Sequence, residues 1–373
     1  MKPLHLGIVS AICWLLSVPV AAGQCFATLS KFITIPLATN LSATDFNHDG
    51  IPDLAAVEVP GAGGSLSILL GTKQGNFRLP RQRYNLSDAP WIVATGDFNG
   101  DGNVDAMTGS ETGIDVLLGT GDGTFGSLAH RDVNFAFGFP TAIAFADLNR
   151  DGSLDAAIAD YSGFRAIFFG QGYGTFIGPF FRLLGAGFSS WAVLAADFNH
   201  DGIADLAVVT GKPQPRVAIH LGYGDGTFHP GGSFATGGQD GIAAVLGDFN
   251  EDGNLDVAVS DSYTEIEVLF GRGDGTLGGV TRYPVSAPGQ IVAGDFNGDG
   301  HLDLITTDRV GADLSLLLGN GDGTFQPAIV AATLPGAADH IAVADFNNDG
   351  LPDVAFQVLW TGVGVAFNTG TCK

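Results

Sequence analysis

The feature that most constrains this chain is a nine-residue acidic segment that occurs seven times. One copy, Asp295 to Asp303, reads DFNGDGHLD. The copies begin at intervals of 52, 50, 50, 51, 47 and 50 residues, at Asp45, Asp97, Asp147, Asp197, Asp248, Asp295 and Asp345. A fixed period of this length is typical of repeat proteins. The 373-residue chain is therefore predicted to be one array of seven units rather than two or three separate domains.

Each acidic segment has the ligand spacing of a calcium loop. If the first Asp is offset 0, side-chain oxygens stand at offsets 0, 2, 4 and 8. The glycine at offset 5 permits a sharp turn, and the main-chain carbonyl at offset 6 adds a further oxygen. The predicted ligands are Asp45, Asn47, Asp49, Ile51, Asp53; Asp97, Asn99, Asp101, Asn103, Asp105; Asp147, Asn149, Asp151, Ser153, Asp155; Asp197, Asn199, Asp201, Ile203, Asp205; Asp248, Asn250, Asp252, Asn254, Asp256; Asp295, Asn297, Asp299, His301, Asp303; Asp345, Asn347, Asp349, Leu351 and Asp353.

The chemistry of these segments favours Ca²⁺ over other metals. Oxygen-only ligands do not suit Zn²⁺, and Mg²⁺ demands a tighter octahedral geometry. An EF-hand would add a Glu at offset 11, but none of the seven copies has one there. The alternative is a set of metal-free Asx turns. Three close carboxylates in each of seven loops argue against that alternative because they would repel one another. We expect the calcium to be structural.

The net charge of −23 has its source in the same segments. Three Asp in each of seven loops account for 21 of the 39 acidic residues. Seven bound Ca²⁺ ions would bring the formal charge to about −9. An acidic surface argues against nucleic acid or an anionic membrane as a partner, since a phosphate binder needs a basic one.

A typical unit, from Thr141 to about Leu184, reads as four short strands. AIAFADLN runs into the acidic segment, and LDAAIADY is almost wholly apolar, as in a strand covered on both faces. FRAIFFG is the third strand, and the corner GQGYGTF leads into the fourth. Related corners, each with an Asp-Gly pair that favours a hairpin, occur at Gly119–Phe125, Gly222–Phe228, Gly271–Leu277 and Gly319–Phe325. Helical periodicity is absent, so the predicted class is all-β, with four antiparallel strands per unit.

The two ends of the chain complement each other. Phe26 lies 19 residues before Asp45, at the spacing of a corner aromatic, so the chain begins at a fourth strand. The last unit supplies three strands and stops in VAFNTGTCK. An open stack would need atypical capping units. An N-terminal strand that completes the last blade would instead close a seven-bladed β-propeller. Cys25 and Cys372 then fall at one corner, where an oxidising compartment would allow a disulfide.

The pairing of DFNxDGxxD with a downstream LGxGDGTF corner resembles the FG-GAP, or VCBS-type, repeat family, over essentially all of Cys25–Cys372. Its best-known members are similar to the propeller head of integrin α chains. The resemblance implies a seven-bladed propeller with up to seven Ca²⁺ ions, one per blade. It also implies an extracellular protein-interaction or adhesion module, or a lectin. With no leg domain or C-terminal membrane helix in the sequence, integrin-style signalling is not expected.

Residues 1–22 are predicted to be a cleaved signal peptide. Lys2 precedes an apolar stretch, residues 6–20, which ends in small residues. A membrane anchor is one alternative, although the stretch is short for a span. A lipoprotein is another, because Cys25 lies just downstream. We expect a mature single domain of residues 23–373 that is secreted, or located at the cell surface or in the periplasm.

Aromatic residues collect in the connections on the face opposite the acidic loops. They are Trp91, Phe137, Phe139, Tyr161, Phe164, Phe188, Trp191, Tyr263 and Trp360. Aromatic faces stack on sugars and anchor protein interfaces, so this face is predicted to bind an extracellular protein or glycan. Tyr161 and Trp360 should be the most exposed. The alternative is that most of these rings fill gaps between blades. No aromatic recurs in every blade, which argues against one sugar pocket per blade.

The sequence offers little for catalysis. His48, His200 and His301 lie within the acidic segments, and no HExxH, GxSxG or P-loop motif occurs. The acids expected on the opposite face, as solvated loop residues, are Asp115, Asp160, Asp240, Asp261, Asp308 and Asp339. Activity on a polysaccharide would rest on analogy of fold alone. We therefore predict a binding module without enzymatic activity, protein interaction or adhesion being favoured over carbohydrate binding.

Overall fold

The structure, a computed structural model, consists of β-strands and their connections over the part of the chain that it describes. The described residues are 25–27, 32–35, 37–59, 63–79, 81–132, 138–163, 165–181, 189–238, 241–261, 263–358 and 361–372. The predicted signal peptide lies outside these ranges. Within them, no helix is long and apolar enough to cross a bilayer.

The strands follow one another in chain order. They are β1 (Phe26–Ala27), β2 (Ile33–Thr34), β3 (Ala38–Thr44), β4 (Asp53–Glu58), β5 (Gly64–Leu69), β6 (Gln82–Leu86), β7 (Pro90–Gly96), β8 (Asp105–Ser110), β9 (Gly113–Gly119), β10 (Phe125–Asp132), β11 (Pro140–Ala146), β12 (Asp155–Asp160), β13 (Arg165–Gly170), β14 (Phe176–Phe181), β15 (Ser190–Ala196), β16 (Asp205–Thr210), β17 (Arg216–Gly222), β18 (Phe228–Ala235), β19 (Gly241–Gly247), β20 (Asp256–Asp261), β21 (Glu265–Gly271), β22 (Leu277–Pro284), β23 (Pro288–Gly294), β24 (Asp303–Asp308), β25 (Asp313–Leu317), β26 (Ile329–Thr333), β27 (Ala338–Ala344), β28 (Asp353–Val358) and β29 (Gly362–Asn368).

These strands form seven antiparallel sheets, the blades. Blades 1 to 6 each contain four consecutive strands, beginning with β3–β6 and ending with β23–β26. The first strand of each blade contacts the first strand of the next, and β27 returns to contact β3. The ring of innermost strands is therefore closed around a central channel. The predicted seven-bladed β-propeller is confirmed.

Blade 7 combines the two ends of the chain. Strands β27, β28 and β29 come from the C-terminal end, and β1 and β2 both pair with β29 as its outer partner. Phe26 lies opposite Asn368 and Ile33 opposite Val363. Cys25 and Cys372 form a disulfide, with their Cα atoms 4.7 Å apart, and both are buried. The N-terminal strand thus completes the last blade, as predicted.

The core lies between neighbouring blades. The second strand of a blade is covered on both faces, and in β4 every residue is buried. The outermost strand faces solvent, as in β10, where only the first residue is buried. An apolar residue at offset 1 of the acidic loop packs against the aromatic or leucine that ends the corner of the following blade, as in Phe46 with Phe125, 5.5 Å between ring centroids, and Phe198 with Leu277. Phe26 supplies this contact for blade 6 by packing edge-on against Phe296.

Phe26→Ala is expected to lower the free energy of unfolding by about 3–5 kcal/mol, because it leaves a cavity beneath the closing strand. Phe26 is fully buried. Leu79→Ala is the control: Leu79 is 68% exposed, so its truncation should change the stability by no more than about 0.5 kcal/mol. Urea unfolding in calcium measures both. Equal, small effects of the two substitutions would contradict a structural role for β1.

Candidate functional site

Each acidic segment forms the hairpin connection between the first and second strands of its blade. In blade 1, Asp45 follows β3 and Asp53 opens β4. The residue at offset 3 has a left-handed backbone in all seven loops, with φ from 57° at His48 to 76° at Gly298. In five of the seven loops this residue is not glycine, although that conformation is costly for other residues. The seven loops therefore share one tightly specified backbone geometry.

The polar side chains of each loop are folded inward onto the loop backbone. Asp45 Oδ2 accepts the N–H of Gly50 at 2.8 Å, and Asn47 Oδ1 accepts the N–H of Asp49 at 2.9 Å. Asp49 Oδ1 in turn accepts the N–H of Ile51 at 3.0 Å. The corresponding bonds form in the other six loops. The side-chain oxygens thus bond to the loop backbone, although the Asp at offset 4 remains exposed to solvent in every loop.

The Asp at offset 8 is the most buried member of each loop. Asp53 has no exposed surface; its Oδ2 accepts the N–H of Phe46 at 3.0 Å and its Oδ1 that of Gly71 at 2.6 Å. Burial, reinforced by the charges of Asp49 and Asp45, raises the pKa of Asp53 to about 6. Burial likewise raises the pKa of its six equivalents, in Asp353 to about 7. The other five are Asp105, Asp155, Asp205, Asp256 and Asp303.

The donor set of each loop fits Ca²⁺. It consists of carboxylate, amide and carbonyl oxygens, which hard cations prefer. A carboxylate oxygen that accepts one N–H keeps a further lone pair. A dication would also offset the charge of a buried carboxylate beside two others. In the described part of the chain, no three Asp, Glu, His or Cys side chains meet as a metal cluster. Calcium binding at the predicted ligands therefore stays a prediction.

Neighbouring acidic loops are linked to one another. His48 Nε2 lies 3.0 Å from Asn103 Oδ1, which joins offset 3 of one loop to offset 6 of the next. His200 and Asn254 form the same link between blades 4 and 5, and His301 contacts Glu251 between blades 5 and 6. The three histidines of the acidic segments thus have structural contacts on this face.

A cavity of about 250 Å³ lies at the mouth of the central channel, on the face opposite the acidic loops. It is built from equivalent positions of all seven innermost strands. The residue six positions before each acidic segment lines the cavity in every blade: Thr39, Trp91, Thr141, Trp191, Ile242, Gly289 and Asp339. Asn40, Phe139, Gln290, Arg309 and His340 are among the remaining lining residues. We call this the channel-mouth cavity.

Four of the predicted aromatics form one cluster at this cavity. Trp91 stacks on Phe139 at 4.8 Å, and Phe139 stacks on Tyr161 at 5.2 Å, with Trp191 edge-on to Tyr161. Tyr161 is exposed, as predicted, and Trp91 is also exposed. Tyr263 is exposed but contacts Lys212, apart from this cluster. The predicted Phe137, Phe164, Phe188 and Trp360 lie outside the described residues.

The acids expected on this face have different surroundings in the structure. Among those that the structure describes, only Asp339 lines the channel-mouth cavity. Asp160 and Asp261 are buried at the ends of their strands, and Asp308 caps a turn by accepting the N–H of Val310. Asp115 is also buried, where it accepts the N–H of Ser87. Asp240 lies outside the described residues. The expectation that these acids are solvated was therefore wrong for Asp115, Asp160 and Asp261.

Among the polar residues of the cavity that sequence reasoning missed are Asn40, Gln290, Arg309 and His340. Three of these residues could have been identified from their position in the repeat. Asn40, Gln290 and His340 all stand five residues before an acidic segment, beside the position that lines the cavity in every blade. Arg309 follows the end of β24 and has no such regularity, so only the folded ring identifies it.

His130 and Asp115 make stability depend on pH. Burial would lower the pKa of His130, but its 2.6 Å contact with Asp115, helped by Asp132, raises it above the usual value. This stabilisation is complete below the unfolded-state pKa and is lost as the pH rises through the raised folded-state pKa. Between pH 6 and pH 9, wild type should therefore lose about 1 kcal/mol more stability than His130→Gln. Urea unfolding of both proteins in calcium tests this, and parallel pH curves would contradict it.

Comparison with protein families identifies the repeat. The model of the FG-GAP-like repeat matches residues 45–108, 97–158, 147–208, 248–306 and 295–356. Each match runs from one acidic segment into the second strand of the next blade. No match was found among curated protein sequences.

Solved structures with the same fold have distant sequences. BBS1N, in complex with ARL6DN, superposes with a TM-score of 0.62 at 10% identity, covering 93% of this chain and 98% of that one. An Agrocybe aegerita lectin, described as recognising non-reducing terminal N-acetylglucosamine, gives 0.56 at 18% identity, with 90% and 88% coverage. The V. cholerae biofilm matrix protein Bap1 gives 0.53 at 12% identity, with 91% and 88% coverage.

At these identities the solved structures support the fold alone, whereas the family matches cover most of the chain, from the first acidic loop to the last. The chain belongs to the family of FG-GAP-like repeat proteins.

Proposed function

We propose that this chain is an exported, calcium-stabilised interaction module that binds an extracellular partner on its channel-mouth face. The observation that carries the proposal is the sevenfold repetition of one loop in which a fully buried Asp lies beside further carboxylates. Carboxylates crowded in this way repel one another unless a cation joins them. Calcium in each loop would fix the hairpin between the first two strands and leave the opposite face free for a partner.

The two faces of the propeller differ in what they offer a partner. The loop face is occupied by turns whose side chains bond to their own backbone. The channel-mouth face has a concave site in which aromatic and polar side chains converge, as binding sites do. Solved relatives of this fold include a lectin and a complex with another protein, so both partner classes suit the fold.

Binding is favoured over catalysis by the lining of the cavity. Hydrolysis of glycosidic bonds ordinarily uses two carboxylates that flank the bond. The described lining of the channel-mouth cavity contains one carboxylate, Asp339. The proposed module therefore holds its partner without transforming it.

Export is supported by the disulfide that joins the chain ends. Cys25 and Cys372 are buried as an oxidised pair, and such bonds form and persist in oxidising compartments. The predicted signal peptide would deliver the chain to one.

Measuring the calcium bound per chain tests the proposal. The mature wild-type protein, dialysed against calcium, should bind close to seven ions by elemental analysis, and Asp299→Ala should bind one fewer. Asp322→Ala is the matched control, because Asp322 is an exposed corner acid that bonds to Thr324 outside the loops. It should leave the stoichiometry unchanged. A folded wild-type protein that binds no calcium would overturn the proposal.

A further inference from the structure

The channel-mouth cavity has an aromatic side and a polar side. The aromatic side belongs to blades 2 to 4 and contains Trp91, Phe139 and Trp191. The polar side belongs to blades 6, 7 and 1. Such a division suits a ligand that has one apolar face and a rim of hydrogen-bonding groups.

The aromatic side presents usable ring surface. Trp91 is 40% exposed although it stacks on Phe139, so that contact leaves much of the indole open. Trp191 is partly buried, and its Nε1 forms no hydrogen bond within the described structure. Trp91 and Trp191 stand at the same position of two innermost strands, six residues before their acidic loops.

The polar side is partly fixed by its own bonds. Asn40 Oδ1 accepts the N–H of Val93 at 3.3 Å, so Asn40 Nδ2 is the atom that meets His340 Nδ1 at 3.0 Å. An amide nitrogen only donates, so His340 Nδ1 is the acceptor. Burial lowers the pKa of His340, which keeps the imidazole neutral and places its proton on Nε2. His340, a residue of the cavity lining, thus has a neutral donor at Nε2.

The remaining polar lining residues can bind hydroxyl groups. Gln290 offers an amide, Arg309 a guanidinium and Asp339 a carboxylate. Arg309 and Asp339 contribute one charge of each sign and His340 is neutral, so the lining carries no net charge. In a chain with a net charge of −23, such a lining favours a neutral ligand over an acidic one.

The size of the cavity favours a small ring over a protein as its ligand. A stable protein interface buries roughly 800 Å² on each side. The cavity, at about 250 Å³, lies just below the range of pockets for drug-sized ligands and suits a single ring. Among the large hydrophobic residues that are exposed in the described structure, two, Trp91 and Tyr161, belong to the aromatic cluster at this cavity.

We propose that the channel-mouth cavity binds one ring of a neutral sugar. The apolar face of the ring packs on Trp91 and Trp191, and its hydroxyl groups bond to Gln290, Arg309 and Asp339. The proposal rests on the proposed function and names the partner class. It places one sugar site in the whole propeller, because only the closed ring brings the two sides together.

Tryptophan fluorescence provides a direct test. Two of the four tryptophans of the sequence line the cavity, and a third, Trp14, lies in the predicted signal peptide. We expect at least one neutral monosaccharide or disaccharide, from a panel titrated in calcium, to shift the emission with a single binding site. Trp91→Ala and Gln290→Ala should each weaken binding about tenfold or more, equivalent to about 1.4 kcal/mol.

Tyr173→Ala is the matched control, since Tyr173 is 65% exposed in a corner on the opposite face. It should change the affinity less than twofold. Because Gln290→Ala removes no ring from the cluster, it tests the site even if Trp91→Ala does not fold. The melting temperature of each variant in calcium reports folding independently.

Three outcomes would overturn the sugar site: binding that both cavity variants leave unchanged, a preference for acidic sugars, or no response to any neutral sugar in the folded, calcium-loaded protein. A protein partner that binds this face, with no sugar response, would overturn it and leave the interaction module intact. Failure of the proposed function would be recognised separately, because the folded chain would then bind no calcium.

Discussion

Chelation of calcium is expected to lower the melting temperature of the mature chain by about 15–25 °C relative to 10 mM calcium. Extracellular sites of this kind bind with dissociation constants of roughly 10⁻⁴–10⁻³ M. Each then contributes about 1.4–2.7 kcal/mol by mass action, and seven together about 10–19 kcal/mol. The unfolding entropy of a chain of this length is about 0.7 kcal/mol/K, which converts that free energy into the stated shift.

Scanning calorimetry in EGTA and at several calcium concentrations measures this effect. The melting temperature should rise with the logarithm of the calcium concentration. Magnesium at the same concentration should raise it much less, because its octahedral preference does not suit these loops. Asp122→Ala, in an exposed corner, is a control that should respond to calcium like wild type. An identical melting curve with and without EGTA would contradict the calcium assignment.

The double variant Cys25→Ser, Cys372→Ser is expected to melt about 8 °C below wild type. The disulfide closes a loop of 347 residues. In the chain-entropy model a loop of that length is worth about 6 kcal/mol. The stabilisation is large because the bond joins the two ends of the ring and so restricts almost the whole unfolded chain.

Each single cysteine variant serves as a control for the double one. Either substitution breaks the bond, so the single and double variants should melt alike, and wild type in reductant should match them. Calcium must be present throughout, so that the loops stay in one state. Should the double variant melt within about 1 °C of wild type, the bond would contribute nothing to ring closure.

The fold was predictable because its evidence is local and repeated. The acidic segments recur near every fiftieth residue, and in the described structure each one joins the first two strands of its blade. Phe26 could be placed in blade 7 because its distance to Asp45 matches the spacing of the other corners. Family matches and strand pairing confirm both inferences. The ligand role of these loops stays a prediction, because it depends on an ion and not on the fold.

The channel-mouth cavity was only partly predictable because the positions that line it are regular but the residues at those positions are not. Half of its lining residues come from one position of seven strands, and that position holds tryptophan in two blades, threonine in two, and isoleucine, glycine or aspartate in the other three. Trp91 and Trp191 were predicted from residue type. Gln290 and Arg309 were not, since an amide in a strand and a guanidinium just after one are ordinary surface residues until the ring places them opposite the tryptophans.

The corner where Cys25 meets Cys372 determines which face of the propeller is accessible when the protein is attached to a surface. Thr369 donates its N–H to the Cys25 carbonyl, and Asn368 donates its own to Asp353 of the last acidic loop, so both ends of the propeller leave from the loop side. We therefore expect a short tether attached at either end to leave the tryptophan-lined mouth on the side away from its anchor. A propeller immobilised on a surface through either end needs no engineered spacer to keep that mouth accessible.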